Sequence, residues 1–217
     1  MCSRFQSVTD DLTFQKAFGL SLPGRLGYDS VRSGTESVFI KKQAGNAIAA
    51  SDELQLEAIF GFFGLSPQFL GTRKFDHQTF NTPFETISKN LGFSEAWRAG
   101  HRCVVPAMAI YEPDWRSGVV RDTKISRADG RIMGIAGLWA FLPSPVGAHA
   151  QCFTMLTINA ENYLPMRNLL APEEPKRMVV ILPEESYSDW LQADAKSAEG
   201  LMKLYRPDNL IVEYSKS

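Results

Sequence analysis

The stretch Arg102-Cys-Val-Val-Pro-Ala-Met-Ala-Ile-Tyr111 is a mostly apolar run that predicts a buried β-strand, and it ends on Glu112-Pro113. A carboxylate at the end of a buried strand is costly in free energy unless it is paired or used in chemistry. Glu112 is therefore a candidate functional acid, and the alternative is a surface ion-pair partner.

Shorter strand and helix patterns lie on both sides of this run. Strands are predicted at 36–41, 54–64, 119–125, 131–142, 152–159, 177–182 and 210–214, with a turn at 128–130 that joins two of them in a hairpin. Helices are predicted at 8–20, 94–100, 184–192 and 198–204, and residues 79–86 are predicted as a loop that enters a helix. Many strands and few short helices indicate an α+β fold with a mostly antiparallel, barrel-like or sandwich-like sheet, in one domain over residues 1–217.

Composition narrows the class of protein. The chain has 217 residues, 44% of them hydrophobic, which is enough for a sizeable core. A formal net charge of −1 excludes the global positive field of a non-specific nucleic-acid binder, so any DNA contact must be local. Three cysteines without C-x-x-C spacing argue against a disulfide framework and a zinc site, and we expect no metal and no cofactor. Without a signal peptide or a long apolar run, a soluble, cytoplasmic monomer is expected.

The amino-terminal residues Met1-Cys-Ser-Arg-Phe5 carry a second chemical signal. Removal of Met1 would leave Cys2 with a free α-amine and a thiol on adjacent carbons. Their unperturbed pKa values, about 8 for the amine and about 8.5 for the thiol, leave both groups partly nucleophilic near neutral pH. With an aldehyde, the amine can form a Schiff base and the thiol can close onto the imine carbon, which gives a thiazolidine. The alternative is that a cysteine at position 2 has no function.

Five segments in order resemble the SOS-response-associated peptidase (SRAP) family, whose members shield abasic sites in single-stranded DNA. The segments are Met1-Cys-Ser-Arg-Phe5, Phe80-Asn-Thr-Pro-Phe-Glu-Thr86, Arg102-Cys-Val-Val-Pro-Ala with Ile110-Tyr-Glu112, Gly134-Ile-Ala-Gly-Leu-Trp139 and Phe153-Thr-Met-Leu-Thr157. The resemblance implies that Cys2 forms a thiazolidine with the ring-opened deoxyribose. By the same resemblance, Asn81 orients the terminal amine and Glu112 transfers protons. The alternative for Asn81 is a helix cap.

Two positions depart from the family pattern. Pro175 stands where the family usually has a histidine that helps to open the sugar ring, and Pro83 stands where it has an arginine that grips a phosphate. None of the three histidines, at 77, 101 and 149, lies in a matching motif. Glu173 or Glu174 is a candidate replacement acid. We expect crosslinking to survive and ring opening or reversal to be slower.

Four further residues are candidate contacts for single-stranded DNA. Arg4 and Arg177 match arginines that contact DNA in the family, and Phe62 and Phe63 are candidates for an aromatic platform that stacks on a base. Two other functions stay open. One is an amino-terminal-nucleophile cysteine peptidase or amidohydrolase, in which Cys2 attacks an amide. The other is a catalytically degenerate SRAP-like domain that only binds a partner, and no protein partner is indicated.

Overall fold

The structure is a computed structural model that describes residues 2–43, 54–64, 80–89, 93–116, 118–141, 150–167, 169–171 and 173–214. Within these ranges the strands are β1 (Arg4–Gln6), β2 (Ser30–Arg32), β3 (Glu36–Lys42), β4 (Leu56–Phe63), β5 (Asn81–Pro83), β6 (Arg102–Ala107), β7 (Ala109–Asp114), β8 (Arg121–Arg127), β9 (Met133–Phe141), β10 (Gln151–Asn159), β11 (Arg177–Val179), β12 (Ile181–Leu182) and β13 (Leu210–Tyr214). The α-helices are α1 (Asp11–Phe18), α2 (Ser94–Arg98), α3 (Tyr187–Gln192) and α4 (Ala195–Glu199), and 3-10 turns include Phe84–Lys89 and Glu184–Ser186.

The strands form two sheets. The first sheet is antiparallel throughout, in the order β13-β8-β7-β1-β2. The second runs β11-β10-β4-β3-β6-β9-β12, with β5 attached to β10. Strand β10 also pairs with β9, so β10, β4, β3, β6 and β9 close into a ring. Only the pairings of β10 with β4 and with β5 are parallel among the described strands. The predicted α+β fold with a mostly antiparallel, barrel-like sheet is confirmed.

The run from Arg102 to Asp114 contributes to both sheets. It was predicted as one strand, but it is two: β6 pairs with β3 and β9 in the second sheet, whereas β7 pairs with β1 and β8 in the first. The change of sheet occurs at Met108, whose backbone N–H donates to Gln6 O at 2.8 Å. This crossing places β7 beside β1, with which it pairs.

Two apolar clusters hold the layers together. One lies between the sheets and includes Phe5, Phe63, Ile110, Ile125 and Phe153, all with fully buried side chains. The second covers the other face of the second sheet, where the helices contribute three large side chains, Phe14, Trp97 and Trp190. Successive strand residues alternate between the clusters because side chains alternate across a sheet.

Three further predictions were wrong in detail. The strands predicted at 119–125 and 131–142 do not form a hairpin, because β8 lies in the first sheet and β9 in the second. The segment predicted as a loop at 79–86 contains β5, and its first residue lies outside the described ranges. The last helix begins three residues earlier than predicted, because Asp194 caps it by accepting from Ser197 N at 2.7 Å, and it ends at Glu199 rather than at 204.

Gly137 gives a test of how tightly the ring is closed. It pairs with Cys103 on one side and Met155 on the other, and a Cβ there would lie 2.6 Å from Thr154 O and 2.9 Å from Cys103 Sγ. We expect Gly137→Ala to lower the free energy of unfolding by about 1–3 kcal/mol because backbone must move. Chemical denaturation measures this effect. The matched control is Gly27→Ala, which has open space around its Cβ, and an equal loss in both variants would contradict the prediction.

Candidate active site at the amino terminus

Cys2 lies two residues before the start of β1 and is buried, with 1% of its surface exposed. Its carbonyl oxygen accepts a hydrogen bond from Asn81 Nδ2 at 2.7 Å. Its thiol donates to Arg4 O at 3.3 Å. The thiol of Cys2 is thus held by the neighbouring backbone, and its carbonyl oxygen is held by a side chain from the second sheet. Cys2 has a fixed position in the inter-sheet core and is not part of a frayed terminus.

Glu112 reaches Cys2 from the adjacent strand. Arg4 on β1 is directly opposite Tyr111 on β7, so the next residue on β7 lies beside the amino-terminal end of β1. The buried Glu112 carboxylate accepts a hydrogen bond from the backbone N–H of Cys2. That nitrogen is the atom that would become the α-amine after removal of Met1. The predicted acid and the predicted nucleophile are therefore in direct contact.

Burial raises the pKa of Glu112 from 4.5 to about 7. The positive charge of the chain's amino terminus opposes this shift in the pKa of Glu112, as does the hydrogen bond from the Cys2 N–H, whereas the negative charge of Glu174 acts in the same direction as burial. A carboxyl with this pKa is populated in both protonation states near neutral pH. It can give and take a proton within one reaction, as general acid–base catalysis requires.

The thiol of Cys2 has its pKa raised by burial and by the negative charge of Glu112, against a hydrogen bond from the backbone of Tyr111. The resting form is therefore the neutral thiol. A neutral thiol is a poor nucleophile, so its reaction requires a base that accepts the proton. The nearest group of that kind is the Glu112 carboxylate.

Asn81 is on β5, which β10 holds by parallel pairing of Met155 with Asn81. The side chain is 2% exposed. Because its Nδ2 donates to Cys2 O, its Oδ1 is the free end of the amide, and this buried oxygen has no hydrogen-bond partner among the described residues. An acceptor buried without a partner is costly, which is typical of groups that serve a ligand or reaction.

The segment that contains Pro175 is attached to the end of β7. Leu169 forms a bridge with Asp114, and Leu170 N donates to Pro113 O at 2.8 Å. The buried Lys176 ammonium donates to the carbonyl oxygens of residues 170 and 171 at 3.2 and 2.7 Å. These contacts bring the exposed Glu174 close enough for its charge to act on Glu112.

The candidate aromatic platform is placed differently from the prediction. Phe63 is fully buried and packs against the rings of Phe5, Phe80 and Phe153 at centroid distances of 5.1, 5.8 and 5.4 Å. It has no exposed face on which a base could stack, so this assignment does not hold. Phe62 is half-buried and packs on the second cluster, away from Cys2.

The candidate arginines are ion-paired. The guanidinium of Arg4 lies 3.8 Å from the centroid of the Tyr111 ring and pairs with Asp122 at 2.6 Å. Arg177 pairs with Glu85 at 2.5 Å. Strand pairing also sets Arg32 opposite Arg4, which adds an exposed positive charge near the amino terminus. The sequence carried no signal for Arg32, because only the register of β1 and β2 brings the two arginines together.

Other chemically active side chains lie apart from this site. His101 stacks on Trp139 with ring centroids 4.2 Å apart, and the other two histidines lie outside the described residues. Cys103 and Cys152 are buried free thiols. Within the described ranges, no three His, Cys, Asp or Glu side chains come together as metal ligands, and every helix is too short or too polar to cross a bilayer. A cleft of about 620 Å³ between β8 and residues 200–209 includes none of the three site residues.

The chain belongs to the SOS response associated peptidase (SRAP) family, whose sequence description matches residues 1–214. It is 25% identical over 148 residues to the abasic site processing protein YoqW of Bacillus subtilis (strain 168) and to the YoqW protein of Bacillus phage SPbeta. Each match covers 67% of this chain but 62% of the relative, so the chain spans less than two thirds of the relatives' length.

Solved structures are similar over nearly the whole chain. A protein of Bordetella bronchiseptica is 32% identical, with a TM-score of 0.87 and full coverage of both chains. A protein of Bacteroides thetaiotaomicron is 18% identical with a TM-score of 0.73, over 99% of this chain and 92% of the other. The second likeness, at its lower identity, shows the fold alone.

The raised pKa of Glu112 predicts a pH-dependent cost in stability. Near pH 4 and below, the carboxyl is protonated in both the folded and the unfolded chain. Between pH 4.5 and about 7 the unfolded chain ionises while the folded chain keeps its proton, so the free energy of unfolding falls, by about 3.5 kcal/mol at most. Glu112→Gln removes this effect. We expect the thermal midpoint of Glu112→Gln to increase relative to that of the wild type as the pH rises from 4.5 to 8.

Differential scanning calorimetry across this pH range measures the gain. Glu199→Gln, at an exposed position on α4, is the matched control and should show no such trend. A difference between wild type and Glu112→Gln that stays constant with pH would contradict the prediction.

Proposed function

We propose that this protein processes abasic sites in single-stranded DNA by forming a covalent thiazolidine through Cys2 after removal of Met1. The observation that carries the proposal is the contact of the Cys2 nitrogen with the buried Glu112 carboxylate, with Asn81 on the carbonyl of the same residue. Membership of the SRAP family and the likeness to YoqW, named as an abasic site processing protein, support the substrate class.

Each residue has a defined role in the proposed reaction. The neutral α-amine of Cys2 attacks the aldehyde carbon of the ring-opened deoxyribose, and a proton passes from nitrogen to oxygen to give the carbinolamine. Glu112 as an acid protonates the hydroxyl of the carbinolamine, which leaves as water, so that a protonated imine and the Glu112 carboxylate remain. The Glu112 carboxylate then takes the proton of the Cys2 thiol while sulfur bonds to the imine carbon, which leaves nitrogen as a neutral secondary amine and Glu112 protonated as at the start. One water is lost overall. Asn81 Oδ1 accepts a hydrogen bond from the amine and so orients its lone pair.

The DNA is proposed to approach over the outer face of the first sheet. Arg4 and Arg32 would contact phosphates there, and Arg177 would contact the backbone on the side of β11. Arg4 and Arg177 are ion-paired with carboxylates in the free protein. When DNA binds, a phosphate would replace the carboxylate as the partner of each arginine. Phe62 remains a proposed base contact, although it packs away from Cys2.

Crosslinking to an oligonucleotide with one abasic site tests the proposal. Intact mass first establishes that Met1 is absent. We expect a band of the covalent protein–DNA complex on a denaturing gel, and this band should appear without borohydride, which is needed only to trap an imine. Cys2→Ser keeps the amine but not the thiol, so its band should appear only after borohydride reduction. Cys152→Ala, another buried free cysteine, is the matched control and should crosslink like the wild type.

The same assay separates the roles of the partner residues. Glu112→Gln should slow bond formation roughly 10²–10⁴-fold and remove the rise in rate with pH near 7, because the group can no longer accept a proton. No covalent band from wild-type protein lacking Met1 would overturn the proposal. In that case, Cys2-dependent cleavage of peptide amides would instead identify an amidohydrolase, and reversible DNA binding alone would identify a degenerate binding domain.

Glu174→Gln tests the electrostatic link to Glu112. Loss of the Glu174 charge removes an interaction that raises the Glu112 pKa, so the rise in crosslinking rate should move to lower pH. Because Glu174 is exposed, solvent screens the effect and we expect a shift of a few tenths of a pH unit. Glu173→Gln, the exposed neighbour, is the control. Identical pH profiles for wild type and Glu174→Gln would contradict the link.

Arg4→Gln tests the proposed phosphate contact. The affinity for intact single-stranded DNA should fall, and the slope of log affinity against log salt should decrease by about 0.7, the value for one phosphate on a single strand. Fluorescence anisotropy at several salt concentrations measures both. Arg131→Gln is the control, since Arg131 is also ion-paired but lines the separate cleft. An unchanged slope in Arg4→Gln would rule out the contact.

A further inference from the structure

The connection between β7 and β8 carries an arginine whose planar group is held on two sides. Arg116 Nε and Nη2 donate to the two carboxylate oxygens of Asp114 at 2.9 and 2.7 Å. The guanidinium carbon lies 3.6 Å from the centroid of the Tyr214 ring on β13. A carboxylate thus holds the edge of the guanidinium and an aromatic ring covers one face. The group has a fixed orientation, although 43% of the Arg116 side chain is exposed.

The Arg116–Tyr214 pair lies on the same face of the first sheet as Glu112. Strand pairing sets Tyr214 opposite Thr123 on β8, and Thr123 opposite Glu112 on β7. Residues directly opposite in an antiparallel pair point to the same face. Two strand spacings separate Tyr214 from Glu112, which is about 10 Å. Asp114 points to this face as well, because it is two residues after Glu112 on β7.

The chemistry of the pair favours stacking over attraction to a phosphate. The Asp114 carboxylate balances the positive charge of Arg116. Since the edge and one face of the guanidinium are occupied, the opposite face is where a further planar group can bind. Bases of single-stranded nucleic acids stack on aromatic rings and on guanidinium planes. Tyr214 and the neighbouring Trp115 are 40% and 41% exposed, so aromatic surface beside the pair is also open to solvent.

We propose that Arg116, supported by Tyr214, is a stacking platform for a base that flanks the abasic site in single-stranded DNA. The inference rests on the proposed function, which supplies the DNA, and it adds a place where a neighbouring base is held. Stacked bases rise about 3.4 Å per nucleotide, so about 10 Å corresponds to three stacked nucleotides or fewer extended ones. The base therefore lies within about three nucleotides of the abasic site, on one side of it. The buried Phe63 cannot have this role.

Arg116→Lys tests the platform without removing the partner of Asp114. Lysine keeps the positive charge but has no plane on which a base can stack. The affinity for single-stranded DNA with a tetrahydrofuran abasic analogue, which has no aldehyde, should fall roughly fivefold to tenfold. The slope of log affinity against log salt should stay as in the wild type, because no phosphate contact is lost. Fluorescence anisotropy measures both quantities.

Removal of the flanking bases gives the sharpest comparison. Two further oligonucleotides keep all phosphates but lack the three bases on the 5′ side or on the 3′ side of the analogue. The wild type should lose affinity for one of them. With that oligonucleotide the effect of Arg116→Lys should disappear, because the base that the platform contacts is already absent. With the other one the variant should keep its full deficit.

Variants of the supporting ring and a matched arginine complete the set. Tyr214→Ala removes the ring beneath the guanidinium and should show the same pattern as Arg116→Lys. Tyr214→Phe keeps the ring and should bind like the wild type. Arg131→Lys is the control, since Arg131 is also exposed and ion-paired but lines the separate cleft. It should bind every oligonucleotide like the wild type.

Crosslinking to DNA with a true abasic site adds a second readout, in which the bond to Cys2 fixes the position of the strand. At low protein concentration the rate should fall in Arg116→Lys by the same factor as the affinity. At saturating protein the rate should match the wild type, because the platform binds DNA and does not act on the reacting atoms.

Two results would overturn the proposal. One is an equal affinity of wild type and Arg116→Lys for the analogue. The other is a deficit of Arg116→Lys that persists with both base-deleted oligonucleotides, which would indicate a backbone contact or altered folding. Wild-type protein that shows the flanking-base dependence but does not crosslink would refute the proposed function and leave the platform in place. Wild-type protein that crosslinks without this dependence would refute the platform alone, and no binding to single-stranded DNA would refute both.

Discussion

The arrangement of the site depends on the hydrogen bonds that hold Cys2 between two sheets. Asn81 from the second sheet binds its carbonyl, and Glu112 from the first sheet binds its nitrogen. Glu112 is on β7, the strand beside β1, whereas Asn81 could not reach Cys2 if the two sheets were not packed face to face. The crossing at Met108 connects the sheets, because β6 and β7 are consecutive strands in different sheets. The site is thus a product of the whole inter-sheet core.

Burial of the site has an energetic cost that a purely structural residue would not incur. The Glu112 carboxyl and Asn81 Oδ1 are polar groups in an apolar cluster rich in phenylalanine. An apolar side chain at any of these positions would pack without a desolvation penalty. Buried polar groups of this kind are expected at functional sites, because function can require a group that lowers the stability of the fold. The concentration of such groups beside Cys2 supports the proposed chemistry.

The type and approximate position of most strands and helices could be predicted, because patterns within short segments of sequence determine them. The apolar runs and the turn residues between them indicated a strand-rich α+β fold. Pairing between strands could not be predicted in the same way. The β8–β9 connection had a good hairpin turn, yet the strands separate because Ile125 and Ile135 both fill the inter-sheet core from different sheets. A short-range turn signal does not report long-range partners.

The site residues Cys2, Asn81 and Glu112 were identified through the resemblance to a family, together with the unusual acid at a strand end. Phe63 was misassigned because an aromatic next to glycine has the same sequence pattern in a core and on a surface. The cleft lined by basic side chains also lay outside the prediction, because segments distant in sequence form it.

The pairing of β1 with β7 also bears on the order of events during synthesis. Strand β1 is made first, but β7 is made only after about half of the chain, and a strand with no partner cannot be buried. The buried position of Cys2 is therefore reached only after the residues between β1 and β7 have been made. Once the sheet closes, Cys2 is 1% exposed. Burial of the first strand is thus a late step in folding, which depends on a partner about a hundred residues further along the chain.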